Sequence, residues 1–118
     1  MFAQGSLLAQ VRPSASASTA YTSTLRTEVT HIIVCNTSGS PAAFSIYHDD
    51  DGTTFDQTTA LFWSAEIAAD TTVSIISDAI GSGITVTRGG SIGVKPSVDR
   101  ALTFSVYGVT EEVARGNR

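Results

Sequence analysis

The chain is 118 residues long, 42% hydrophobic, and carries seven basic and eleven acidic side chains for a formal net charge of −4. That length favours one domain around one core, and the bases, Arg12, Arg26, Arg88, Lys95, Arg100, Arg115 and Arg118, are too scattered to grip a phosphate backbone, so nucleic acid is not an expected partner. A single cysteine, Cys35, excludes an internal disulfide and any metal site that needs a cysteine pair.

Charged residues reach only 15%, below the ~25% of an ordinary soluble domain. Ser and Thr take up much of the missing share. A hydroxyl-rich, charge-poor surface suits a protein covered by neighbours better than a free cytosolic enzyme. No apolar run reaches the roughly 18 residues of a membrane helix, so no membrane partner is expected. No secretory signal stands at the N-terminus, which points to synthesis in a cytoplasm.

Residues 1–20 differ from the rest of the chain. GSLLAQV at 5–11 has the texture of a short strand, and PSASASTA at 13–20 is a stretch of small, uncharged residues. This region reads as an extended arm or a first strand, with contacts expected outside its own domain, and the alternative is a disordered tail. A domain over 21–112 and a tail over 113–118 complete the expected organisation.

From Tyr21 onward Val, Ile, Thr, Phe and Tyr dominate, with Gly, Asp, Ser and Pro between them, which predicts strands. They are placed near 20–25, 28–36, 42–48, 58–64, 70–76, 83–87, 91–95 and 101–109. Leu102, Phe104 and Val106 alternate with Thr103, Ser105 and Tyr107, and Phe44 and Ile46 alternate with Ser45 and Tyr47. Val29, Ile33 and Cys35 share one parity, so all three are expected on one face. NTSGSP at 36–41 predicts a loop shaped by Asn36 and Gly39, DDDG at 49–52 a turn, and RGG at 88–90 a tight hairpin. SAEIAAD at 64–70 is too short to make a credible helix. About eight short strands at this spacing predict an all-β fold, a single antiparallel β-sandwich of jelly-roll or immunoglobulin-like type. Its expected core includes Val29, Ile33, Phe44, Ile46, Val73, Ile75, Val94, Phe104 and Val106.

Candidate chemistry is sparse. His31, Cys35 and His48 invite comparison with a cysteine–histidine nucleophile pair, but no third group orients a base and no Gly-x-Ser-x-Gly elbow exists. Cys35 reads as a small buried hydrophobe and His31 as a core or interface residue. HDDDGTTFD at 48–56 suggests calcium. With Gly52 at the sixth position of an EF-hand loop, Tyr47 and Thr58 fall where the first and twelfth carboxylates belong, so that reading fails. A looser site on Asp49, Asp51 and Asp56 stays open beside the default of a solvated turn. GSG at 81–83 and RGG lack the helix N-terminus that phosphate capture needs. No catalytic residue, cofactor or metal is therefore assigned. Phe62 and Trp63 are adjacent, so one points to the core and the other outward. An exposed Trp anchors a subunit contact or stacks on a sugar. The interface candidates are Phe2, Leu7, Leu8, Val11, Trp63 and Tyr47.

A wider pattern joins these pieces. Tyr21-Thr22 precedes a strand ending Ile33-Val-Cys-Asn-Thr37; an aromatic strand, Ala43 to Tyr47, follows the turn. Downstream come AADTTVSI at 68–75, Gly89 to Ile92, and FSVYGVTEE at 104–112. Over about 21–112 this resembles the small β-sandwich structural proteins of tailed bacteriophages, found among head decoration, neck and tail-associated proteins. The resemblance implies a non-enzymatic virion subunit, foremost a capsid decoration or cement protein, partnered by the major capsid protein or other virion proteins. It also implies a homo-oligomer, with a trimer favoured by three-fold shell positions. The alternatives are a neck or tail-fibre component, or a glycan-binding receptor-recognition module using Trp63 or Tyr47.

Overall fold

The fold is that of a computed structural model that describes residues 6–75 and 84–110. Among the described residues there are nine strands and no helix. They are β1 (Ser6–Val11), β2 (Ser18–Thr22), β3 (Thr27–Asn36), β4 (Ala42–Asp49), β5 (Ala60–Ile67), β6 (Thr71–Ile75), β7 (Ile84–Val86), β8 (Ser91–Pro96) and β9 (Leu102–Thr110).

Every pairing is antiparallel, and the pairs nest. β1 pairs with β9, β2 with β8, β3 with both β6 and β7, and β4 with β5. The chain is thus one long double-stranded ribbon whose tip is the loop between β4 and β5. Rolling that ribbon brings β9 beside β3 and β8 beside β4. Two sheets result. One has the order β1-β9-β3-β6 with β7 also on β3, and the other the order β2-β8-β4-β5. Of the two expected sandwich types, this nested order with repeated crossing between sheets is the jelly roll.

The sheets bury their facing sides against each other. Ile32, Val34, Phe104 and Val106 from the first sheet meet Phe44, Ile46, Ile92 and Val94 from the second, all at most 3% exposed. The rings of Phe44 and Phe104 bridge the layers edge-to-face with centroids 6.3 Å apart. Of the expected core, Val29, Phe44, Ile46, Val94, Phe104 and Val106 are buried, and Val73 and Ile75 pack at its margin.

Ile33 is a correction. β3 pairs Val29 with Gly108 and His31 with Tyr107, leaving Thr30 as an extra residue. This bulge flips the parity of everything after it. Ile32 and Val34 therefore point inward, and Ile33 and Cys35 turn to the outer face, half-buried. The thiol of Cys35 accepts a 3.3 Å hydrogen bond from Thr72 there instead of packing in the core.

Of the two readings of residues 1–20, extended arm or first strand, the described part takes the second. Residues 6–11 form the first strand, in register with β9, and 18–22 pair with β8, so this part of the chain lies within both sheets. Leu8 and Val11 pack against the core. The RGG stretch does not close a hairpin, because β7 belongs to one sheet and β8 to the other; the turn, with Gly89 at φ 89°, carries the chain between layers. The 36–41 loop is shaped as expected by Asn36, though through its side chain, and Gly39 is not at positive φ. The expected segment 64–70 is the end of β5 and a turn. Phe2, the GSG at 81–83 and the expected tail at 113–118 lie outside the described residues.

Candidate functional site: the outer face of the β2-β8-β4-β5 sheet

The sheet β2-β8-β4-β5 has a second side, facing away from the core, and an aromatic cluster covers part of it. Tyr47 on β4 points outward, opposite Gly93 on β8. Glycine leaves a bare patch of backbone there, and Phe55 from the β4–β5 loop fills it. A Cβ placed on Gly93 would lie 2.5 Å from Cδ1 of Phe55. The Phe55 and Tyr47 rings are tilted at 34° with centroids 5.8 Å apart. Trp63 stands nearly perpendicular to Tyr47, at 6.4 Å and 85°.

A bulge in β5 sets the direction of Trp63. Phe44 pairs with Ala65 and Ile46 with Phe62, so Trp63 and Ser64 together oppose the single residue Ser45. Ser64 takes the extra turn with φ 52°, and its N–H donates to Oγ of buried Ser45 at 3.0 Å. Phe62 and Ala65 can then both pack on the core while Trp63 is pushed out, 52% exposed. The adjacent pair divides as the sequence suggests, with Phe62 inward and Trp63 outward.

Trp63 and Lys95 flank two shallow depressions. The larger, about 590 Å³, runs from Ala15–Ala17 across Lys95 and Trp63 to Phe55–Thr58. A smaller one, about 90 Å³, lies on the other side and reaches Ser45, Ser64 and Ser97.

The loop that carries Phe55 is held by its own carboxylates. Asp49, only 8% exposed, accepts N–H bonds from Asp51 at 3.2 Å and from Thr54 at 2.6 Å. The Thr54 N–H foremost, then the Asp51 N–H, holds the Asp49 carboxyl below its ordinary range. Asp50 is lowered chiefly by the N–H of Thr87, and Asp56 by the hydroxyl of Thr58. Asp51 is raised by its hydrogen bond to Asp49 and by the charge it faces there. No group of three metal-ligating side chains converges among the described residues. The Asp49 oxygens already serve backbone donors, so this stretch acts as a turn lock.

The other candidates disperse. His31 and Cys35 lie on the outer face of β3, four residues apart along a strand, or roughly 13 Å. His48 sits on β4 in the other sheet, with Nε2 3.3 Å from Oδ1 of Asp50 but not aligned as a hydrogen bond. These three do not form a nucleophile and base pair. Tyr47, expected at an interface, is only 2% exposed because Phe55 and Trp63 cover it. Leu7 is half-exposed on edge strand β1. Sequence reasoning missed Phe55 and Gly93; a lone glycine between the β-branched Ile92 and Val94 was the signal for a close approach.

No protein-family model, no curated protein and no solved structure matches the chain.

Proposed function

We propose that the chain is a non-enzymatic structural subunit of a tailed-bacteriophage virion, and that it decorates or cements the head shell. One observation carries the reading. Large exposed apolar side chains sit on edge strands of both sheets, with Leu7 50% exposed on β1 and Leu61 38% exposed on β5. Bare apolar edges invite pairing with other chains, and a subunit in an assembly has neighbours to cover them. The low charge content fits the same setting. The virion context comes from the sequence pattern over 21–112, and the major capsid protein is the proposed partner. A homotrimer is the proposed solution form.

Immunogold labelling of intact particles with an antibody against the chain tests this. Evenly labelled heads support the reading, label confined to necks or tails moves the subunit there, and unlabelled particles overturn it. Native mass spectrometry reads the trimer. A truncation test must stop at residue 5, because removing 1–20 would strip all of β1 and part of β2.

A further inference from the structure

The depression beside Trp63 is not an apolar groove awaiting a helix or strand. Its one large exposed apolar side chain is the indole, with only the methyls of Ala15 and Ala17 and part of the Phe55 ring beside it, and around it stand the hydroxyls of Ser16 and Thr58, the amide of Gln57, the amine of Lys95 and the carboxylate of Asp56. One base and one acid leave the lining without net charge, on a chain whose overall charge is −4. A ligand complementary to this lining has a flat apolar face, a rim of groups that both donate and accept, and no charge. A sugar ring meets all three conditions. Its C–H face packs on an aromatic plane, and each hydroxyl serves as donor and acceptor. A charged polymer would meet Asp56 or Lys95 unpaired, and a protein partner would find a single anchor in a polar surround.

We propose that the outer face of the β2-β8-β4-β5 sheet holds a binding site for a neutral oligosaccharide, with Trp63 as stacking platform and Lys95 and Gln57 as hydroxyl partners. The Phe55–Gly93 contact and the Ser64 bulge preset the platform, so little ordering remains at binding. This site is independent of the virion reading, and either can fail without the other.

Trp63 is the sole tryptophan, so its emission reports directly on the site. The full chain is titrated with maltotetraose, cellotetraose, N-acetylchitotetraose and mannotetraose, and with sialyllactose as the acidic counterpart. A saturable emission change with at least one neutral sugar and none with sialyllactose is expected. Lys95→Ala keeps the fluorophore and is expected to weaken that response several-fold. Trp63→Ala, checked for retained β-sheet by circular dichroism and followed by calorimetry, is expected to weaken binding about tenfold or more. No saturable response to any of the four neutral sugars overturns the proposal, as does a response to sialyllactose alone. Emission that instead changes with protein concentration, together with self-association abolished by Trp63→Ala, assigns the face to a second copy and also overturns it.

Discussion

The ring of Phe55 lies flat against the backbone of Gly93, in space where any side chain at position 93 would stand. This one contact ties the tip of the long ribbon, the β4–β5 loop, to the outer face of β8. Gly93→Ala must displace the ring, because the obstacle is an aromatic side chain held between Tyr47 and the sheet and not the free end of a flexible one. A cost of about 1–3 kcal/mol is expected in urea unfolding. In a Phe55→Ala background the same change should be close to neutral, since the clash is gone. Equal costs in both backgrounds would show that the contact does not restrain the loop.

The bulge at Thr30 makes a sharp prediction about neighbours. Ile32→Ala empties a fully buried site and should cost about 2–5 kcal/mol, whereas Ile33→Ala, on the outer face, should cost less than about 1 kcal/mol. Reversed magnitudes in chemical denaturation would return β3 to unbroken alternation. The same residues show what the sequence makes legible. Strand positions were readable because β-branched and aromatic runs are separated by turn residues with definite chemistry. Which face each side chain takes was readable only up to the first bulge, since counting by twos assumes an unbroken ladder. Thr30 and Ser64 carry no local mark that distinguishes them from other strand residues. At the site, Trp63 could be singled out by its adjacency to Phe62. The burial of Tyr47 could not, because its cover arrives from Phe55, eight residues further along the chain and held there by a fold-dependent contact.

Among the described residues Asn36 is the most heavily bonded side chain and should be correspondingly costly to change. It is 1% exposed. Its amide nitrogen donates to the carbonyls of Ser40 at 2.9 Å and Ala68 at 3.1 Å, while Oδ1 accepts from the N–H and hydroxyl of Ser38 at 2.9 and 2.8 Å. One side chain thereby fastens the β3–β4 loop to the β5–β6 turn across the two sheets. Asn36→Ala leaves buried groups unpartnered and should cost about 2–4 kcal/mol. Asn36→Asp keeps the shape but aims a carboxylate at carbonyl oxygens, so its thermal stability should improve on acidification while wild type does not. A pH-independent Asn36→Asp melting profile would mean that the donor face is dispensable.

Acid should open the β4–β5 loop before it disturbs the core. Asp49, Asp50 and Asp56 all have carboxyl pKa values held below the model-peptide value of 3.8, led respectively by the Thr54 N–H, the Thr87 N–H and the Thr58 hydroxyl. The unfolded loop therefore takes up protons first as the pH falls. The stabilisation is fully present above the unfolded value and is lost as the pH drops through the lower folded values, from about pH 4 downward. Asp51 acts in the opposite sense. Its pKa is raised by Asp49, so its ionised form costs stability at neutral pH, and protonation relieves that cost. The carboxylate with most backbone partners, Asp49, decides the outcome, because its protonation weakens both N–H bonds that close the turn around Phe55. The apolar core between the sheets contains no comparable group and should keep its protection. Amide hydrogen exchange at Thr54, followed from about pH 5 to about pH 2 after correction for the intrinsic rate, should accelerate in wild type well before exchange at Val34 or Phe104. In Asp49→Asn the Thr54 amide should already be fast at the upper end and change little on acidification, and Asp51→Asn should steepen the wild-type response. Retention of the full wild-type pH dependence in Asp49→Asn would place the acid-sensitive lock elsewhere in the loop.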